Sequence, residues 1–202
     1  MKGHVSNPYD KKIYGVGYIG VGEYKPSNNK KMTKSYIRWS NMMRRCYSST
    51  YKNLHKTYKN CTVCDEWHNY QVFADWFNKN IYQCNEELHL DKDILIKNNK
   101  LYSPNTCILI PESLNKLLTK TNKFRGGYPI GVVNHLGKYE VKCGCGDGSG
   151  KYLGRYKNID DAFNTYKMFK ENTIATQAEK YKKYLSINAY NALLHYTVEI
   201  ND

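Results

Sequence analysis

The stretch IGVVNHLGKYEVKCGCGDGSGKYLGRYKNIDDAFNTYKMFKE, residues 130–171, carries the clearest fold signal in the chain. Three short runs rich in β-branched and aromatic residues, 130–135, 138–143 and 151–156, are separated by turns at Gly137 and in the glycine-rich run 144–150. Strand side chains alternate, so Lys138, Glu140 and Lys142 fall on one face of the middle run and Tyr139 and Val141 on the other. Asp160 or Asp161 then offers an N-cap, and Ala162, Phe163, Tyr166 and Phe169 line one side of the helix that follows. The pattern predicts a three-stranded antiparallel sheet packed on a helix, closed by a C-terminal helical segment over 172–185 and 188–195.

Upstream, residues 119–127 are rich in Lys, Asn and Gly and read as a linker. Before them comes the order strand, turn, strand, helix: 88–95, a turn at 97–100, 101–110 interrupted by Ser103-Pro104, and a helix that Pro111 starts. Residues 65–79 form an amphipathic helix whose Trp67, Phe73, Trp76 and Phe77 belong to the core. Residues 13–24 alternate glycine with bulky residues and predict a short hairpin, followed by a polar loop at 25–34. Tyr36, Trp39, Met42, Met43 and Cys46 then share a helical face, with Arg38, Arg44 and Arg45 opposite, and the Tyr-rich stretch 47–60 reads as a long loop. The sum is an α+β protein of two domains, 1–118 and 128–202.

Charge supplies the functional class. The chain of 202 residues carries a formal +13, placed unevenly. Residues 1–60 hold 13 Lys and Arg against 2 Asp and Glu, residues 61–119 hold 5 against 8, and residues 120–202 hold 13 against 8. A basic head and tail around an acidic middle suit a polyanion gripped by two flanks. The 20 tyrosines add side chains that bond phosphate or stack on bases. A basic surface kept only for solubility is the plainer alternative. No apolar run approaches the roughly 18 residues of a membrane span, and the N-terminus lacks the apolar stretch of a signal peptide. A cytoplasmic protein is therefore expected, its seven cysteines reduced thiols or metal ligands.

Several ordered blocks in the first two thirds carry a resemblance. RWSNMMRRCY (38–47), VCDEW (63–67), LDKDIL (90–95), YSPNTC (102–107) and PESLN (111–115) look like those of phage-type HNH endonucleases of the ββα-metal superfamily. The resemblance implies a ββα-metal module with extra helices that hydrolyses phosphodiesters, most simply as a nickase. It implies one divalent ion, Mg2+ or Mn2+, with Asp91 and Asn115 as its oxygen ligands. Lys92 stands where the family has its general-base histidine, and Thr106, with Asn105 beside it, where the family has the asparagine that orients it. Lysine is a poor base at neutral pH. Asp93 or His89 are the substitutes that alternation would place on the face of Asp91. Slow nicking with a substitute base, use of metal-bound hydroxide, and a scaffold that only binds DNA all stay open. Some proteins of this kind carry a structural zinc, for which Cys46, Cys61, Cys64 and Cys107 are the candidates, with thiol packing the alternative.

The second half resembles the APETALA2-type DNA-binding domain, through GVVNHLGKYEVKCG (131–144) and KYLGRYKNIDDAFNTYKMFKE (151–171). That resemblance implies a sheet laid in the major groove of double-stranded DNA. By position its contact residues would be Val133, His135, Lys138, Lys142, Lys151, Tyr152 and Arg155, with Tyr139 either contact or core. Arg38, Arg44 and Arg45 would hold backbone phosphates from the first half. Together the two resemblances imply a phage or mobile-element DNA-binding endonuclease. An inactive DNA-binding regulator or counter-defence protein on the same scaffold is the alternative.

Overall fold

The computed structural model of the protein describes residues 7–119, 127–200 and 202; the expected linker lies outside them except at its two ends. The architecture is α+β and divides into two compact units. One runs to Gln83 and takes in Leu90–Leu109, and the other comprises Cys84–His89 and the chain from Ile110 onward. Residues 84–89 and 112–118 thus group with the second unit, whereas the sequence pattern assigned them to the first.

The first unit starts with a tight loop where a hairpin was expected. Ile13 N–H donates to Gly17 O (3.0 Å) and Gly17 N–H to Ile13 O (2.9 Å), with Tyr14 and Gly15 at positive φ. A Cβ on Gly17 would come within 2.9 Å of both Trp39 and Met43, so the missing side chain lets the loop lie on the next helix. The hairpin comes later, in the stretch that read as a loop. β1 (Ser27–Asn28) and β2 (Lys31–Met32) pair across Asn29 and Lys30, both left-handed, as a two-residue hairpin turn requires.

Thr33 caps α1 (Lys34–Tyr47), whose apolar face, Trp39, Met42, Met43 and Cys46, is buried as its spacing predicted. Ser48 caps α2 (Ser49–Leu54), which with a 3-10 turn at Lys56–Tyr58 replaces the long loop expected there. No residue of α2 is buried, which is why its sequence shows no apolar period. After β3 (Thr62–Val63), the expected helix over 65–79 breaks at Asn69, whose side chain caps α3 (Tyr70–Asn80). Trp67, Phe73 and Phe77 are buried, and the Trp39 indole donates to Trp67 O at 2.7 Å.

The strand expected over 88–95 ends early, as β4 (Leu88–Asp91), and the strand expected over 101–110 splits into β5 (Leu101–Tyr102) and β6 (Ile108–Pro111). β5 runs parallel to β3, and β4 pairs with β6; the division between the units falls within these last two strands.

In the second unit Pro111 leads into α4 (Glu112–Leu118). Its first turn is anchored by Glu86, whose carboxylate accepts Ser113 N–H (2.8 Å), Ser113 Oγ–H (2.9 Å) and the Tyr181 hydroxyl. β7 (Val132–His135), β8 (Lys138–Gly144) and β9 (Gly150–Tyr156) form an antiparallel sheet in that order, close to the segments expected from sequence. α5 (Ile159–Tyr181) crosses its back and α6 (Ile187–Leu194) follows. Asn158 caps α5, in place of the aspartates expected in that role, which occupy the first turn and favour the helix dipole from there. The core joins Val132, Val141 and Cys143 of the sheet to Ala162, Phe163 and Tyr166 of the helix.

Gly131 makes that contact possible. It sits at φ +77°, and a Cβ there would lie 2.0 Å from the Tyr166 ring. Gly131→Ala is expected to cost about 2–4 kcal/mol in equilibrium unfolding, from overpacking and left-handed strain together. Gly137→Ala, also left-handed but with nothing within 4 Å, should cost only about 1 kcal/mol.

Burial opposes the charged form of Glu86, but the hydrogen bonds from Tyr181 and Ser113 outweigh it and hold the carboxyl below its ordinary value. A depressed folded pKa means stability that is present above the unfolded value of about 4.3 and lost as pH falls through the folded one. Acid titration of the unfolding free energy should show this loss in the wild type. Glu86→Gln should lack that component and cost about 1–2 kcal/mol at neutral pH.

Candidate functional site

Sheet register decides which basic residues meet on the exposed face of β7–β8–β9. Val133 pairs with Glu140 and His135 with Lys138; Glu140 pairs with Arg155 and Lys142 with Tyr152. These side chains therefore face away from α5, and Val132, Val141 and Cys143 face toward it. The register slips by one between Val141 and Lys142, leaving Leu153 as the extra residue of β9. Gly154, at φ +130°, supplies the backbone freedom beside it. Strict alternation from Arg155 would turn Leu153 and Lys151 outward. The bulge turns Leu153 onto the core and Tyr152 outward, where it is 53% exposed.

Lys151 goes the other way. It pairs with Cys143, and its ammonium stands 5.2 Å from the Phe169 ring on the helix side. Lys151 is thereby separated from the other expected contact residues. Tyr139 is half-buried against the core, so of the two readings left open for it the packing one applies.

Glu140 sits among the cations, a role the sequence did not reveal because its partners lie on neighbouring strands. Its Oε1 is 3.1 Å from His135 Nδ1 and 3.9 Å from Arg155 Nε, and Arg155 also donates to His135 O at 2.8 Å. The His135 carbonyl holds the guanidinium, with the carboxylate nearby, while Lys138 and Lys142 remain exposed.

The residues around Asp91 are differently disposed. Along β4 burial alternates, with Leu88 and Leu90 inward and His89 and Asp91 on the half-buried face. Asp91 Oδ1 accepts N–H from Asp93 (2.8 Å) and Ile94 (2.9 Å), which turns the chain out of the strand. Asp93 consequently does not continue the face of His89 and Asp91, contrary to the alternation expected over 89–93. Lys92 follows the phase of Leu88 and Leu90 and is 5% exposed. Its ammonium donates to both Asp93 oxygens (2.8 and 2.7 Å) and to Asn99 O (2.6 Å). The amide of Asn99 closes the loop from the other side, onto Lys92 O and Leu101 O.

Lys92 thus spends its three donors on the 91–101 loop, and none is left for the base position at which it stands. The Thr106 hydroxyl is likewise engaged within its own turn, donating to Leu101 O at 2.7 Å and accepting Ser103 N–H at 3.1 Å, and Asn105 lies exposed at the tip. Asn115 is half-buried on α4, in the second unit.

Burial pushes the Asp91 carboxyl above its ordinary value, against the two backbone N–H bonds that pull it down. Oδ2 accepts no hydrogen bond among the described residues.

Of the arginines on α1, Arg44 is exposed, with its guanidinium 5.1 Å from the Tyr51 ring, and Arg38 is half-buried. Arg45 departs from the face expected for it. Its stem is covered and the guanidinium lies 5.6 Å from the Tyr58 ring, so it packs rather than meeting solvent. Cys46, Cys61 and Cys107 are buried and Cys64 half-buried. Burial raises these thiols, Cys46 and Cys107 to about 12 and Cys64 to about 11. Among the described residues, no three His, Cys, Asp or Glu side chains stand together as a metal-binding group. Within the same residues, no helix is long and apolar enough to cross a membrane.

No protein-family model matches the chain, and neither a curated protein nor a solved structure matches it.

The Lys92 clamp makes a checkable distinction. Lys92→Met strands Asp93 and the Asn99 carbonyl and is expected to cost about 1–3 kcal/mol in thermal or urea unfolding, the value of a partly exposed charged hydrogen-bond set. A lysine with a purely functional role would leave stability unchanged.

Proposed function

We propose that the protein binds duplex DNA through the outer face of the β7–β9 sheet. The observation that carries this reading is the register, bulge included, which gathers Val133, His135, Lys138, Lys142, Tyr152 and Arg155 on one exposed face backed by α5. A two- or three-stranded ribbon fits the major groove of B-DNA. Lysines at its margin neutralise phosphates, and a guanidinium hydrogen-bonded to the His135 carbonyl is pre-oriented for a base edge or phosphate. The net charge of +13 supports the same partner.

Fluorescence anisotropy with a labelled duplex at fixed salt tests the reading. Arg155→Ala should weaken binding by roughly 5- to 100-fold, and Lys138→Ala should lower the salt slope by about one. Lys151→Ala, on the helix side, should leave both unchanged. Equal affinity of wild type and Arg155→Ala for every duplex tried would overturn it.

A second reading, metal-dependent nicking, is favoured by His89 and Asp91 sharing one face of β4. The HNH resemblance would make Asp91 and Asn115 the ligands of one Mg2+ or Mn2+, an ion that would stabilise charge on the leaving oxygen. His89 is the base, since Lys92 and Asp93 are tied to each other. Supercoiled plasmid incubated with either ion should be relaxed by the wild type. The rate should fall at least 100-fold in Asp91→Ala, Asn115→Ala and His89→Ala. Tight binding without relaxation by the wild type leaves the protein a DNA binder alone.

A further inference from the structure

A cavity of about 730 Å³ opens within the second unit, within the size range of small-ligand sites. Three lysines line it, Lys116, Lys142 and Lys170, together with glycines of the 144–149 turn, Ile130 and the ring of Tyr166; among the described residues no carboxylate does. The turn is firmly seated. Gly146 packs so closely that a Cβ would lie 2.4 Å from Ser113 O, and Asp147 accepts both Ser149 N–H (2.8 Å) and Ser149 Oγ–H (2.6 Å).

Lys170 is the unusual member. It projects from α5 beside the sheet core, is only 8% exposed, and has no hydrogen-bond or ion-pair partner among the described residues. Lys116 differs, being paired with Glu112 at 2.8 Å. Burial draws the Lys170 ammonium below its ordinary value, against the influence of the neighbouring Cys143 and Cys145. A largely buried cation without a counter-charge beside it is poorly compensated, so an anion entering the cavity gains what the protein leaves unmatched.

We infer that this cavity is a binding site for a phosphate-bearing ligand of mononucleotide size, its phosphate at Lys170 beside the 144–149 turn and its flat, less polar part against Tyr166 and Ile130. The cavity is lined by too much apolar surface for a bare inorganic anion to fill it. The cavity borders the DNA-reading face, since Val133 and Lys142 also line it, but Lys170 lies behind the sheet and not on its outer face.

Thermal unfolding of the full chain with inorganic phosphate, AMP and adenosine tests it. AMP should raise the midpoint by a few degrees, phosphate by less, and adenosine hardly at all. Lys170→Met should raise the midpoint without ligand, by removing an unmatched buried charge, and abolish the AMP shift. Lys138→Ala should leave the AMP shift intact while impairing DNA binding, which separates the two readings. Displacement of AMP by a duplex would identify a backbone phosphate as the source, and coexistence a free phosphomonoester. No shift with AMP or phosphate, an equal shift with adenosine, or an AMP shift retained in Lys170→Met would overturn the inference.

Discussion

One extra residue in β9 governs the exposed sheet. Up to Val141 and Gly154 the ladder between β8 and β9 keeps a constant register; beyond them Lys142 faces Tyr152, and Leu153 is left over. A period-two structure has only two faces, so a single insertion exchanges them for every residue that follows. Leu153 therefore reaches the core, Tyr152 joins the basic face and Lys151 leaves it. Gly154 carries the unusual backbone angle, and Tyr156 closes over it with its hydroxyl donating to Leu153 O at 3.0 Å. The chemistry of the face depends on this slip more than on any one charge.

Charged groups serve opposite purposes in the two units. Lys92 is buried and fully bonded, so it fixes the 91–101 loop and with it the orientation of Asp91. Glu86 does the same for α4, taking the N–H and hydroxyl of Ser113 and the hydroxyl of Tyr181. Lys170 is buried without such partners, an arrangement that costs stability unless a ligand offsets it. Burial alone thus does not identify function; what separates these groups is whether the protein satisfies them.

The arrangement around Asp91 weighs binding against catalysis. An HNH-like centre needs a base on the face of its metal ligand, and Lys92 points to the opposite face of the chain, in phase with Leu88 and Leu90. His89 keeps the right face. The Asp91 carboxyl is raised by burial, a condition that a divalent cation would reverse.

Some of this was legible in the sequence by itself. The apolar stripe of α1, the three strands and helix of the second unit and the aromatic core of α3 follow from local periodicity, which burial enforces residue by residue. The outward Lys138 and Lys142 follow from alternation in β8, which has no irregularity before Val141. Tertiary structure decided the rest. Only strand pairing reveals the bulge, and only the fold reveals that β5 pairs with β3 while β4 pairs with β6. The partners of Lys92, Glu140 and Glu86 come from loops, neighbouring strands or a helix up to 95 residues away. Local pattern encodes which side of an element is apolar; it does not encode which distant atom will satisfy a charge, because that choice is made when the elements pack.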